Sequence, residues 1–108
     1  MTGPVKDPGS LVEVSRERET VWVLDRSIVI VGSDEAADVR IENKSIAPYH
    51  AEIVNDDGGY RIRHLDGSAP VCVNGEPKDE SPLVDGDSIA FGECTFIFFD
   101  SPSVESSE

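Results

Sequence analysis

The side chains with the most chemistry to offer lie between residues 32 and 51: Ser33, Asp34, Glu35, Asp38, Arg40, Lys44, Ser45 and His50. Arg40 and Lys44 are the cations of this stretch, and with the Ser45 hydroxyl they could hold an anionic group. Asp34, Glu35 and Asp38 lack the alternating oxygen-ligand spacing of a calcium loop, so no metal is expected there. His50 is expected to satisfy buried backbone groups, as buried polar side chains do. His64 alternates with Tyr60 and Ile62, which places it at the edge of a core face. Cys72 and Cys94 fall in apolar, strand-like runs and read as reduced, buried thiols. Neither has a zinc-type spacing. The sequence has no phosphate-cradling glycine loop, nucleophile elbow or metalloprotease histidine pair. The expectation is a non-catalytic protein with no cofactor and no metal.

Strands must hold these residues. The apolar run Ile28-Val29-Ile30-Val31 stops at Gly32. A polar loop, 33–38, leads to the short alternating strand Val39-Arg40-Ile41. A second loop, 42–49, carries Pro48, and the chain resumes as a strand at Ala51-Glu52-Ile53-Val54. Two loops flanking a short strand emerge on one side of a sheet, where binding sites usually sit. Further strands are expected at Leu11-Val12-Glu13-Val14, with Val12 and Val14 on one face, and around Trp22 at 20–24. Tyr60, Ile62 and His64 alternate with Arg61 and Arg63 in another. Val71-Cys72-Val73, Ser88-Ile89-Ala90-Phe91 and 95–99 complete the set. Residues 16–19 are expected to form a charged hairpin tip. Turn signals stand at Asp57-Gly58-Gly59, Asn74-Gly75, Asp85-Gly86-Asp87 and Gly92-Glu93-Cys94. Pro77 is expected to keep 76–81 out of regular structure. Many short strands, closely spaced turns and no amphipathic helix predict an all-β antiparallel sandwich of ten to eleven strands. It would span 10–100, between a disordered leader at 1–9 and an acidic tail or linker at 101–108.

The 108 residues suffice for one domain and one core. The net charge of −13 repels nucleic acid and anionic membrane surfaces. No apolar run is long enough for a transmembrane helix, and the start does not read as a signal peptide. The expected location is cytoplasmic, either free or as the cytoplasmic part of a membrane protein.

One ordered set of residues resembles a known family. Gly32-Ser33, Asp38-Val39-Arg40-Ile41 and Ala47-Pro48-Tyr49-His50-Ala51 are followed by Gly67-Ser68-Ala69-Pro70, Val73-Asn74-Gly75 and Leu83-Val84-Asp85-Gly86-Asp87. Together they resemble the forkhead-associated (FHA) domain, a β-sandwich that in most members binds phosphothreonine peptides. The resemblance implies a structural frame of Gly32, Asp38, His50, Asn74, Gly75, Gly86 and Asp87. It implies partner-binding loops carrying Ser33, Asp34, Arg40, Lys44, Ser45, Ala47, Pro48, Ser68 and Ala69. The phosphate-reading positions depart from the family. Its arginine is Ser33, its serine is Ala47, its second arginine is Pro48, and its peptide-reading asparagine is missing near Ala69-Pro70. Losing such charged hydrogen bonds removes about 4–8 kcal/mol from phosphate binding. The Gly-Ser-Asp and Ile-Ala-Pro-x-His-Ala variant is similar to the cytoplasmic domains of bacterial type III secretion inner-membrane ring proteins (YscD-like), where the domain is an assembly module. The resulting expectation is a scaffold or assembly module of a larger bacterial protein. It would bind a protein partner, and neither phosphothreonine peptide, nucleic acid nor membrane. The alternative is a phosphopeptide-binding signalling module with a rewired pocket built from Arg40, Lys44 and Ser45.

Overall fold

Alternating apolar residues set the strands, and the strands stack so that their apolar faces meet. The computed structural model describes residues 8–14, 20–56, 59–66 and 69–100. The expected leader up to residue 7, the hairpin tip at 16–19, Asp57, Gly58, Gly67, Ser68 and the tail at 101–108 lie outside the described residues. Among the described residues there are eleven strands: β1 Gly9–Glu13, β2 Val21–Leu24, β3 Ile28–Gly32, β4 Val39–Arg40, β5 Ala51–Asp56, β6 Gly59–His64, β7 Val71–Val73, β8 Glu76–Lys78, β9 Glu80–Pro82, β10 Ser88–Phe91 and β11 Cys94–Phe99. They form a first sheet in the order β2-β1-β11-β10-β7-β8 and a second in the order β4-β3-β5-β6-β9. The all-β sandwich is as expected.

Leu11, Ile89, Phe91, Phe96 and Phe98 line the inner face of the first sheet, and Val31, Ala51, Ile53 and Ile62 that of the second. Phe91 meets Phe96 edge-on at 5.5 Å, and Tyr60 meets Phe98 at 5.1 Å. Each such pair contributes about 0.5–1.5 kcal/mol beyond the area it buries. The Tyr60 hydroxyl accepts the Gly9 N–H at 2.8 Å and donates to the Leu24 carbonyl at 3.1 Å, so a core ring also anchors β1 and β2.

Three details differ from expectation. β1 begins at Gly9 and turns Leu11 inward, opposite Phe98, whereas Val14 is 58% exposed. With a period of two, Val12 and Val14 share the opposite face, as their spacing implied. Residues 76–82 form two strands despite Pro77 and Pro82. Pro77 lies in β8, at the edge of the first sheet, and Pro82 in β9, at the edge of the second. An edge strand pairs on one side only, so a missing N–H can face solvent. The chain crosses between sheets at Asp79, whose carbonyl accepts the His64 N–H at 2.8 Å. Finally, β4 pairs with β3 in parallel, Val31 opposite Val39, making the second sheet mixed.

Candidate functional site

The loops after β3, after β4 and after β6 gather at one end of the sandwich. Gly32 decides how closely the first two approach. A Cβ there would stand 1.9 Å from the Pro48 carbonyl oxygen, so only glycine fits. Past it, the Ser33 N–H donates to the Ala47 carbonyl at 3.0 Å and the Asp34 N–H to the Pro48 carbonyl at 3.2 Å. The Ser33 hydroxyl donates to the Ile46 carbonyl at 3.0 Å. Asp34 closes its own loop by accepting the Ala36 N–H at 2.8 Å, and it accepts the Tyr49 hydroxyl at 3.1 Å. That hydrogen bond to a carboxylate pushes the Tyr49 pKa above its usual 10.0. Asp38 accepts the Ile30 N–H at 2.9 Å and pairs with Arg26 at 3.1 Å, tying the loop back to β3.

His50 holds all three loops and is fully buried. Its Nδ1 accepts the Ala47 N–H at 3.0 Å, and its Nε2 lies 2.8 Å from the Ala69 carbonyl. An N–H can only donate and a carbonyl can only accept, which selects the neutral tautomer with the proton on Nε2. Burial, the largest cause, lowers the His50 pKa below 6.5. The Ala69 carbonyl opposes this, and His64, stacked on it at 5.2 Å, adds repulsion. The His50 carbonyl accepts the Leu65 N–H at 2.8 Å.

The second loop turns its hydroxyl inward. Asn43 Oδ1 accepts both the N–H and the hydroxyl of Ser45, and Ser45 Oγ accepts the Glu93 N–H at 3.0 Å. Gly92, at φ 56°, lets the β10–β11 turn come this close. Arg40 pairs with Glu42 at 3.0 Å. Lys44 is exposed and has no ion pair or hydrogen bond among the described residues.

Of the expected loop residues, the structure therefore joins Ser33, Asp34, Ala47 and Pro48 directly, and Ala69 through His50. Ser45 turns toward the β10–β11 turn, and Ser68 lies outside the described residues. The roles of Tyr49, Asn43 and Arg26 were missed. Asn43, two residues before Ser45, carries a local signal, since asparagine bonds its own backbone two residues on. The pairs Tyr49–Asp34 and Arg26–Asp38 span 15 and 12 residues and leave no such trace.

The remaining frame residues lie at the opposite end of β10. Asn74 Nδ2 donates to Asp87 Oδ1 at 2.9 Å, and Asn74 Oδ1 accepts the Ser88 N–H at 3.0 Å. Asp87 Oδ2 accepts the Val84 N–H at 2.8 Å. Asn74 and Gly75 have φ of 52° and 86°, as a two-residue hairpin turn requires, and Gly86 has 88°.

Comparison with known proteins decides the family: the profile described as FHA domain matches residues 29–92. The chain belongs to the FHA family. It is 25% identical over 81 residues to an oxoglutarate dehydrogenase inhibitor of Corynebacterium diphtheriae, a match that takes in 75% of this chain. The chain spans 57% of that relative's length. Among solved structures, the FHA domain of CT664 protein from Chlamydia trachomatis superposes with a TM-score of 0.79 at 28% identity, over 86% of this chain and 97% of that one. Mycobacterium tuberculosis EmbR, in complex with a low-affinity phosphopeptide, gives a TM-score of 0.82 at 25% identity, over 94% of this chain and 26% of that one. This FHA domain is thus a protein-interaction module.

Proposed function

We propose that this FHA domain docks a protein partner through loops 33–38, 41–50 and the Ala69-Pro70 segment, and that phosphate is not what it reads. The observation that carries the reading is that the Ser33 and Ser45 hydroxyls are engaged within the loops, while Arg40 is paired at the surface with Glu42. Ala47, Pro48 and Ala69 offer no side-chain donor. Tyr49 and Leu65 are 47% and 42% exposed at this end and supply apolar contact area. The net charge of −13 adds repulsion toward a phosphopeptide that salt only partly screens.

Isothermal titration with paired phosphothreonine and threonine peptides tests this. The expected result is no phosphate-dependent heat. The triple change Ser33→Arg, Ala47→Ser, Pro48→Arg is expected to create weak phosphate-dependent binding. Tight, phosphate-dependent binding by the unchanged protein overturns the proposal.

A second reading draws on two observations. EmbR was solved with a phosphopeptide, so the family comparison does not support excluding one. Lys44, alone among the loop cations, has no partner among the described residues. Phosphate-dependent binding that Lys44→Ala abolishes would favour a rewired pocket. The assembly role, as a cytoplasmic module of a type III secretion-like ring protein, rests on the Gly32-Ser33-Asp34 and Ile46-Ala47-Pro48-Tyr49-His50-Ala51 variants. A parent sequence without a transmembrane segment beyond this domain would argue against it.

A further inference from the structure

Asn43, Asn55 and Asn74 supply all the side-chain amides of this sequence, and Asn74 alone is followed by glycine. That pairing has a chemistry of its own. Glycine has no Cβ to keep its backbone nitrogen from approaching the preceding side chain. Once the Gly75 nitrogen has lost its proton to solvent base, it can attack Asn74 Cγ. The Cγ–Nδ2 bond then breaks, and Nδ2 takes a proton from water and leaves as ammonia. Water opens the resulting cyclic succinimide at either carbonyl. The net change is amide plus water to carboxylic acid plus ammonia. The residue left is aspartate or, where the main chain runs on through Cβ, isoaspartate.

The fold exposes the nucleophile and restrains the electrophile. The two residues form the β7–β8 turn at the edge of the first sheet. Gly75 is exposed, a Cβ on it would meet nothing, and its N–H has no hydrogen-bond partner among the described residues. Solvent base therefore reaches that nitrogen. The Asn74 amide is held on both of its polar atoms: Oδ1 accepts the Ser88 N–H at 3.0 Å, and Nδ2 donates to Asp87 Oδ1 at 2.9 Å. The Asn74 N–H adds a backbone tie to the Ser88 carbonyl at 2.7 Å. Asp87 is only 8% exposed and is itself fixed by the Val84 N–H on Oδ2. Ring closure turns Cγ toward Gly75 and takes Nδ2 from Asp87, leaving a nearly buried carboxylate short of a donor.

We infer that Asn74 is a modification site, protected by the closed turn and released by each local opening. The modification is spontaneous conversion to aspartate or isoaspartate, with water as the one co-reactant. Neither product restores the turn. An aspartate replaces the donor facing Asp87 Oδ1 with a carboxylate oxygen, setting two anions at hydrogen-bond distance. An isoaspartate adds a main-chain carbon to a turn whose register, Val73 opposite Glu76, is set by two residues. A transient opening is thereby converted into a permanent loss. The inference rests on the far turn alone and is independent of what the loops bind.

Peptide mapping by mass spectrometry tests it. The tryptic peptide 64–78 contains Asn74 as its one side-chain amide, and conversion to the acid raises its mass, whereas isomerisation of Asp66 leaves the mass unchanged. At mildly alkaline pH the folded protein is expected to convert at least about tenfold more slowly than the same protein unfolded in guanidinium, because the reaction draws only on the open turn. Asp87→Ala, shown to be folded by circular dichroism, is expected to convert at least about tenfold faster than the unchanged folded protein. The folded-to-unfolded ratio needs no variant, so it decides the matter even where Asp87→Ala does not fold. The converted fraction carries one more negative charge, separates by anion exchange, and is expected to have a lower Tm than the unconverted protein. Equal rates in the folded and unfolded chains, or no conversion in either, overturn the inference. An unchanged rate in folded Asp87→Ala, or an unchanged Tm in the converted fraction, overturns it as well.

Discussion

The altered loop positions and the far turn are held by different kinds of atom. At the far end, Asn74 and Asp87 bond through their side chains to each other, to Ser88 and to Val84. At the loop end, Ala47 contributes an N–H to His50 and a carbonyl to Ser33, Pro48 a carbonyl to Asp34, and Ala69 a carbonyl to His50. All of these are backbone groups, which any residue carries. The Asn74–Asp87 turn therefore fixes residue identity, whereas Ala47, Pro48 and Ala69 fix only chain path. The lesson is physical: the family's phosphate-reading side chains could be replaced here without loosening the loops, because the loops do not depend on them.

The largest test of that contrast is Gly32→Val. The new side chain must displace the Pro48 carbonyl, and overpacking against backbone leaves no cheap rearrangement. The expected cost is more than about 4 kcal/mol by chemical denaturation. A loss below about 1 kcal/mol would show that the loops are not pressed together as described. At the far end, Asp87→Ala strips the Val84 N–H and the Asn74 amide of a nearly buried charged partner. Its expected cost is about 3 kcal/mol. Equal stability to the unchanged protein would remove the basis for contrasting the ends.

At the loop end His50 holds the backbone through its side chain, as Ser33, Asp34, Asp38 and Ser45 also do. Replacing it with alanine leaves the Ala47 N–H and the Ala69 carbonyl unsatisfied, at an expected cost of about 2 kcal/mol. Acid should act in the same direction. The folded pKa lies below 6.5, so the unfolded chain takes up a proton that the folded one refuses. The contribution of neutral His50 is complete above pH 6.5 and declines as pH falls below it. The difference in stability between the protein and its His50→Gln variant, followed from pH 8 to pH 5, should shrink on acidification. A constant difference would mean that His50 is not held neutral.

This division also explains what was legible in the sequence. Gly32, Asp38, His50, Asn74 and Asp87 were singled out through the family resemblance, and at each the side chain, or the lack of one, makes the contact described above. The core strands were readable from alternation, as Tyr60 and Ile62 against Arg61 and Arg63 illustrate. β8 and β9 were not, because Pro77 and Pro82 signal a break wherever both sides of a strand must pair, and edge position is a tertiary fact. The parallel β3–β4 contact was hidden for a similar reason: two residues of alternation carry no direction. The inward turn of Ser45 was missed because it depends on Gly92, 47 residues away, allowing close approach.

The smallest expected effect is the sharpest for the comparison. Ala47→Ser and Ala69→Ser add a hydroxyl at positions whose structural role is carried by main-chain atoms, and both residues are only partly buried. Neither change removes the Ala47 N–H, the Ala47 carbonyl or the Ala69 carbonyl. Each should shift stability by less than about 0.5 kcal/mol, the range of surface substitutions. At the far end, Asn74→Ser shortens a side chain that both donates to Asp87 and accepts from Ser88, at a position with positive φ. It should cost about 1–2 kcal/mol. Urea unfolding of the three variants beside the unchanged protein measures the difference directly. If the two loop-end changes cost as much as Asn74→Ser, side-chain identity matters equally at both ends. The altered loop residues would then have to be explained by packing against one another, not by freedom from a structural role.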